Sequence, residues 1–240
     1  MNLDLDHALK WRVVWPLLRQ LPRHESVSLL DAGCGAGAWC VRIARRRPAW
    51  RIVGIDTDAA QLERAKRRID AAGLRNVTFT IGDLRDGIPG RYDVILSIAS
   101  IHYAAAAGTG AAVLAALAQA VAPGGQMILL VPRRSSEQPV WRGLPKAGAW
   151  PVFGTGELQS MARDAGFIVT AMHGLFGSWC VLGKQAAMWS AKSRLRRLIT
   201  LPVETLVRMV PVDLVRDPAL CSYALLLIAT TTATVNADAL

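Results

Sequence analysis

The chain has 240 residues, of which 52% are hydrophobic, and its formal net charge is +10 at pH 7. This length is sufficient for one α/β domain with a sizeable core. The four cysteines form no C-x-x-C pair, so the composition indicates neither a zinc knuckle nor a disulfide framework, and we predict no metal. The net charge alone is compatible with nucleic acid, an anionic membrane surface or an acidic substrate as partner.

Two long stretches without charged residues, 94–132 and 218–237, raise the question of a membrane-spanning helix. Glycines and a Pro-Gly-Gly turn interrupt the first stretch, and the second is strongly apolar only over 223–229, which is the length of a strand. Both are therefore predicted to be core segments. Acidic residues near the start and the absence of a small-residue cleavage site argue against a secretory signal, so the expected location is cytoplasmic.

Hydrophobic periodicity and turn residues predict strands and helices that alternate along most of the chain. The first element is an N-terminal helix over 4–21, within segment 1–22, with a kink at Pro16. The predicted strands span 27–32, 51–55, 77–81, 92–98, 126–131, 167–172 and 221–229. The predicted helices among them span 38–47, 59–72, 111–121 and 156–165. This pattern predicts an α/β fold with a seven-stranded, mostly parallel sheet, helices on both faces, and a helical insertion before the last strand.

The most informative segment is a buried strand that ends in a glycine-rich turn and opens a helix. Asp31 lies at the carboxyl end of this strand, and Gly33, Gly35 and Gly37 follow it. Such glycines let the backbone pass close to a bound cofactor. The turn also satisfies the dinucleotide pattern G-x-G-x-x-A through Ala38, so a nicotinamide or flavin protein is an alternative. A carboxylate at Asp31 would repel a pyrophosphate, however, whereas it can help to hold a cationic ligand.

With these residues the chain resembles the class I S-adenosylmethionine-dependent methyltransferase family, whose first motif is an acidic residue followed by G-x-G-x-G. The later family motifs follow in the expected order. They are Gly54-Ile55-Asp56 at the end of the second strand, Gly82-Asp83 after the third, and Pro123-Gly124-Gly125 before the fifth. The resemblance implies a Rossmann-like fold, methyl transfer, and S-adenosyl-L-methionine as cofactor.

The resemblance also implies roles for individual side chains. Asp31 would hold the cofactor's ammonium group directly or through water, and Asp56, with Asp58 as a substitute, would accept hydrogen bonds from both ribose hydroxyls. Asp83 would accept a bond from the adenine amine, with Leu84 beside the ring. Taken singly, each acid could instead cap a turn or a helix. The expected cofactor-binding residues are Asp31, Gly33, Cys34, Gly35, Gly37, Asp56, Thr57, Gly82, Asp83, Leu84 and Ser97.

Candidate catalytic residues follow the fourth strand, at the sheet edge where ligands of α/β proteins bind. In-line methyl transfer depends largely on alignment of the reactants, so a dedicated base is optional. If the acceptor is a hydroxyl or a weakly acidic carbon, His102 is the candidate for a base or a positioning residue, and its neighbours Tyr103 and Ser100 are lesser candidates. The segment 97–100 lacks the Asn/Asp-Pro-Pro-aromatic turn of methyltransferases that modify amino groups of nucleic acid bases.

We expect a single methyltransferase domain over 1–240, with a cofactor-binding core at 23–132 and acceptor-side insertions at 133–153 and 174–219. Tryptophans and other apolar residues in the insertions predict a small, hydrophobic or lipid-like acceptor. The basic amphipathic stretch 192–210 could contact an anionic membrane peripherally, or it could pack against the sheet edge.

Three other functions remain open: an RNA methyltransferase, an NAD-dependent oxidoreductase that uses the same glycine turn, and a binding module without catalytic activity. Nucleic acid is not the expected partner, because the basic clusters are not interleaved with aromatic residues on one face. The sequence specifies neither the acceptor nor the oligomeric state.

Overall fold

The computed structural model describes residues 3–106, 108–133, 153–175 and 224–231. The chain divides into two compact units. The larger comprises Pro22–Pro132, Lys146–Met172 and Leu226–Leu240, and the smaller comprises Met1–Leu21, Arg133–Pro145 and His173–Leu225. The expectation of a single domain stays a prediction.

The described elements alternate between strands and helices through most of the larger unit. The strands are β1 (Ser28–Ala32), β2 (Arg51–Asp56), β3 (Val77–Ile81), β4 (Tyr92–Ile98), β5 (Val121–Pro132), β6 (Phe167–Leu175) and β7 (Ala224–Thr231). The helices are α1 (Leu3–Leu18), α2 (Ala38–Ala44), α3 (Ala59–Ala71), α4 (Ile101–Ala106), α5 (Gly110–Ala120) and α6 (Thr155–Asp164), and a short 3-10 turn spans Leu84–Asp86.

The strands form one seven-stranded sheet in the order β3-β2-β1-β4-β5-β7-β6. The pairs β2–β3, β1–β2, β1–β4 and β4–β5 are parallel, and the sheet includes one antiparallel pair. Because crossovers between parallel strands are right-handed as a rule and run here in opposite directions from the centre, α2 and α3 are expected on one face of the sheet and α5 on the other. The parallel pairs confirm the predicted mostly parallel sheet. The order reverses between β1 and β4, and ligands of such sheets bind beyond the carboxyl ends of strands at that position.

The two central strands are deeply buried. Leu29 and Leu30 on β1 and Ile95 and Leu96 on β4 are completely shielded from solvent. Strands covered on both faces read as continuous apolar runs, which is why these segments are recognisable in the sequence. The register pairs Asp31 with Leu96. The acidic residue before the glycine turn therefore lies at the end of the innermost strand pair.

The structure differs from the predicted elements at several places. Helix α2 ends at Ala44 rather than at 47, and strand β6 ends at Leu175 rather than at 172. The fifth strand begins at Val121 rather than at 126, because the Pro-Gly-Gly segment belongs to the strand and is accommodated by a register irregularity opposite Tyr92–Val94. Helix α4 was not predicted. The first helix ends at Leu18 and contains Pro16.

Most of the predicted insertions lie outside the described residues. This applies to 134–152, to 176–219, and to the basic stretch 192–210 within it. Within the part of the chain that is described, no helix combines the length and the apolar character needed to cross a bilayer.

Candidate functional site

The turn after β1 has a backbone shape that glycine permits. Gly33, Gly35 and Gly37 have φ values of 77°, 51° and 70°, in the left-handed region where a Cβ is unfavourable. At Gly37 a Cβ would also lie only 2.7 Å from the Phe79 ring and 2.8 Å from Cβ of Ala65. At Gly35, by contrast, a Cβ would meet no atom within 4 Å. The turn is thus tightly packed where helix α2 begins and open at its middle glycine.

The turn is fastened to the end of β2. The amides of Gly33 and Cys34 donate to the carbonyl oxygen of Ile55 at 2.8 and 3.0 Å. The amide of Gly35 donates to Oδ2 of Asp56 at 2.7 Å, and the amide of Asp58 donates to Oδ1 at 3.0 Å. Each carboxylate oxygen has more than one acceptor site. Asp56 can therefore hold the turn in place and still accept bonds from a ligand's hydroxyls.

Asp58 has a different and local role. Its carboxylate accepts bonds from the amides of Ala60 and Gln61 at 2.9 and 3.1 Å, which makes it the N-cap of helix α3. Such a cap satisfies backbone donors that have no partner inside the helix. The choice of Asp56 over Asp58 as the acid that faces the ligand stays a prediction. Thr57, between the two, is exposed.

Asp31 is a buried carboxyl. Only 2% of the residue is exposed, and its Oδ2 accepts a hydrogen bond from the thiol of Cys40 at 3.2 Å. The pKa of Asp31 is raised to about 7, chiefly by burial; the Cys40 hydrogen bond opposes this rise, and the charge of Asp56 adds to it. Near neutral pH both protonation states are populated. A cation bound beside Asp31 would favour the charged form.

The thiols of Cys34 and Cys40 lie close to each other, and that of Cys40 contacts Asp31. The pKa of Cys40 lies well above its ordinary value because of its hydrogen bond with Cys34, its burial and the nearby charge of Asp31. A neutral thiol is the form that can donate to a carboxylate. Both cysteines are buried and carry free thiols. Cys40 was absent from the predicted set, whereas Cys34 was in it.

Asp83 is engaged with its own turn. Its carboxylate accepts bonds from the amide of Arg85 and from the guanidinium of the same residue. These bonds hold the pKa of Asp83 below its ordinary value. The amide of Gly82 donates to the carbonyl oxygen of Asp56 at 3.1 Å, which places this turn beside the end of β2. Leu84 is half-buried at the start of the 3-10 turn.

The end of β4 forms the other side of the site. Ser97 is completely buried, and its hydroxyl lies 2.7 Å from that of Ser100. Ser100 in turn donates to the carbonyl oxygen of Ala32 at 2.7 Å. Ser97 is therefore bonded to Ser100 and has no surface exposed to solvent. Ser100 was named from the sequence only as a neighbour of His102, and its bond to Ala32 was not predicted.

His102 and Tyr103 lie in the first turn of α4. His102 is 2% exposed and Tyr103 is 59% exposed, and their ring centroids are 4.2 Å apart. The exposed phenol is the part of this pair that an incoming molecule can reach. Among the described residues, no group of three or more His, Cys, Asp and Glu side chains is arranged to hold a metal ion.

Comparison with known proteins bears on this site. Residues 29–125 match the model of a family described as a methyltransferase domain. The trans-aconitate 2-methyltransferase of Afipia carboxidovorans is 45% identical over 56 residues, which are 23% of this chain and 22% of the relative. The ribosomal RNA small subunit methyltransferase C of Escherichia coli is 33% identical over 86 residues, which are 36% of this chain and 25% of the relative. The chain thus spans about a quarter of the length of these curated relatives.

A solved structure with a similar fold is that of phosphoethanolamine N-methyltransferase 2 from Haemonchus contortus in complex with S-adenosyl-L-methionine. It superposes with a TM-score of 0.66 at 14% identity, over 92% of this chain and 53% of the other. The glycine turn, the sheet order and the matched segment together define a class I S-adenosylmethionine-dependent methyltransferase domain. Residues 29–125 belong to that family.

Proposed function

We propose that this protein is an S-adenosylmethionine-dependent methyltransferase that acts on a small, hydrophobic or lipid-like acceptor. One observation carries the proposal: the buried carboxyl of Asp31 and the ligand-facing carboxylate of Asp56 flank a glycine turn that is open at Gly35. A phosphate-free nucleoside with a cationic amino acid end suits such a site. A diphosphate would meet two like charges there.

The residues present fit this cofactor part by part. Asp56 has acceptor capacity left for the ribose hydroxyls, and the open space at Gly35 lets the ligand approach the backbone. Asp31 supplies a carboxyl whose charged form a cationic group would favour. The backbone bond between Gly82 and Asp56 brings the following turn close to the end of β2, which supports the proposal that Asp83 and Leu84 border the adenine.

When bound, the cofactor supplies a methyl group on a positively charged sulfur. The contribution of the protein is to orient that group and to exclude water from it, which is where most of the acceleration of such a displacement can arise. His102 and Tyr103 lie on α4, which begins at the residue after Ser100. Tyr103 is accessible to an acceptor, and the buried His102 supports its ring from one side.

The choice of acceptor is supported by the composition of the insertions and by the matched relatives. The apolar residues in the two insertions favour a hydrophobic molecule, and one matched relative acts on trans-aconitate, a small molecule. An RNA acceptor is the second candidate, because another matched relative acts on ribosomal RNA and the chain is strongly basic. Residence in the cytoplasm and peripheral membrane contact through 192–210 belong to the same proposal.

Calorimetric titration tests the cofactor directly. S-adenosylhomocysteine should bind to the wild-type protein, and NAD should not. The variant Asp56→Asn should bind S-adenosylhomocysteine about tenfold or more weakly, because a hydrogen bond to a charged group contributes about 1.5–3 kcal/mol. Asp70→Asn, on the exposed end of α3, is the matched control. Binding of NAD in preference to S-adenosylhomocysteine would refute the proposal.

Methyl transfer is then measured as the release of S-adenosylhomocysteine from S-adenosylmethionine in the presence of candidate acceptors. Three sets are compared: small carboxylic acids, dispersed lipids and ribosomal RNA. Turnover with the RNA alone would favour the second candidate. Tight cofactor binding without turnover on any set would favour the binding module.

A further inference from the structure

Ser100 joins two parts of the site that lie far apart in the sequence. It follows strand β4 and immediately precedes helix α4, which carries His102 and Tyr103. Its hydroxyl reaches back to the carbonyl oxygen of Ala32, the residue before Gly33, at 2.7 Å. A single side chain therefore ties the start of the glycine turn to the segment on the acceptor side.

The direction of each hydrogen bond in this link follows from the number of protons available. A carbonyl oxygen can only accept, so the one proton of the Ser100 hydroxyl points to Ala32. The hydroxyl of Ser97, 2.7 Å away, must then donate its proton to Ser100. The link is a directed relay from Ser97 through Ser100 to the backbone of the turn. Removal of Ser100 breaks both bonds, whereas removal of Ser97 breaks one.

Packing against Gly33 shows that the contact is close. A Cβ built on Gly33 would lie 2.3 Å from Cβ of Ser100 and 2.9 Å from its Oγ. Real Cβ atoms do not approach each other so closely, since dispersion contacts between carbons are most favourable at about 3.5–4.0 Å. Gly33 is therefore needed for its positive φ and for the space that Ser100 occupies.

The backbone before Ser100 adopts an uncommon conformation that makes this contact possible. Ala99 has a φ of 57°, and among the described residues it alone has a positive φ without being glycine. For an L-residue this conformation is unfavourable, because Cβ comes too close to the following carbonyl oxygen. The amide of Ala99 is held by the carbonyl oxygen of Leu130 on the neighbouring strand at 2.8 Å. Strain of this kind persists where the surrounding structure requires it.

We propose that Ser100 is a cofactor-positioning residue, which fixes the peptide leading into Gly33 so that the glycine turn is held ready for its ligand. This inference rests on the proposed function, because the ligand of the turn is the cofactor proposed above. It predicts that loss of the hydroxyl weakens cofactor binding even when the protein stays folded. If only a fraction of the free molecules has the turn in its binding conformation, the apparent affinity is the intrinsic affinity multiplied by that fraction.

The test measures two quantities on the same set of variants: the dissociation constant of S-adenosylhomocysteine by calorimetry, and the midpoint of thermal unfolding. Ser100→Ala should raise the dissociation constant about tenfold, and Ser97→Ala about threefold, because they remove two bonds and one bond of the relay. Ser100→Thr keeps the hydroxyl and should recover most of the affinity. Ser160→Ala, an exposed serine on α6, is the matched control and should bind as the wild type does.

The outcomes separate this inference from the proposed function. If the wild-type protein does not bind S-adenosylhomocysteine, both are overturned. If it binds but Ser100→Ala binds equally well, only the role of Ser100 is overturned, and a lower unfolding midpoint in that variant would then reflect a purely structural bond. Should Ser100→Ala fail to fold, the comparison of Ser97→Ala with Ser100→Thr decides: equal affinities overturn the proposal, and weaker binding of Ser97→Ala supports it.

Discussion

The buried carboxyl of Asp31 should make cofactor binding depend on pH. The protonated form is favoured in the free protein because burial raises the pKa to about 7. A cationic ligand beside it favours the ionised form, so binding and proton release are linked. Affinity for S-adenosylhomocysteine, which carries the same ammonium group as the methyl donor, should therefore rise as the pH is raised from acid towards neutral.

The size of the effect follows from the ionised fraction. With a pKa of about 7, about 3% of the Asp31 carboxyl is ionised at about pH 5.5 and about half at about pH 7. If only the ionised form binds well, the apparent dissociation constant falls by the ratio of these fractions, about 15-fold over this interval. The ligand's ammonium stays charged in this range, because an α-amino group has a pKa of about 7.7–8.0.

Calorimetry at a series of pH values, in buffers with different heats of ionisation, gives both the affinity and the number of protons released. Asp31→Asn should bind at all pH values about as weakly as the wild type does at the acid end. Asp70→Asn is the control for the loss of an exposed charge and should retain the slope. A wild-type affinity that does not change across this range, or an equal slope in Asp31→Asn, would refute the reasoning.

Three further predictions concern stability and the neighbouring acids. The pKa of Asp31 is higher in the folded than in the unfolded protein, so its contribution to stability is complete below about pH 4 and is lost as the pH rises through about 7. In thermal unfolding of the ligand-free protein, the wild type should therefore lose stability relative to Asp31→Asn over that pH window. Gly37→Ala should lower the free energy of unfolding by about 1–3 kcal/mol in denaturant titration, because its Cβ would overlap the Phe79 ring at a positive φ; an unchanged midpoint would show that the turn can relax. Asp58→Ala should cost about 1 kcal/mol through loss of the N-cap of α3, with S-adenosylhomocysteine affinity unchanged within about twofold; a large loss of affinity would show that Asp58 faces the ligand.

Much of the central fold could be predicted from the sequence because its signals are local. The first four strands are apolar runs bounded by glycines, prolines or charged residues, and their predicted bounds differ from the observed ones by at most one residue. The family motif likewise identified Asp31 and Asp56 at the carboxyl ends of β1 and β2. These positions depend on residues that are adjacent in the chain, which is the kind of pattern that a sequence displays.

The features that were missed depend on contacts between distant segments. Helix α4 has only six residues and is alanine-rich, so it lacks the length over which a helical period shows in a sequence. Ser100 became important only through a bond to Ala32, which is 68 residues away, and through the left-handed Ala99 before it. Cys40 acts on Asp31 from within a helix whose sequence looks like ordinary core. No spacing rule in a single sequence reveals such partners.

The position of β7 affects the order in which the sheet can be completed during synthesis. Among the described strands this one comes last in the sequence but lies between β5 and β6, and the hydroxyl of Thr230 donates to the carbonyl oxygen of Gly125, 105 residues earlier. Until the ribosome has released residues 224–231, β5 and β6 each have one edge without its final neighbour. Unpaired strand edges are sites of aggregation, and such distant pairing forms slowly. Shortened versions of this protein that end before β7 should therefore need chaperones to remain in solution.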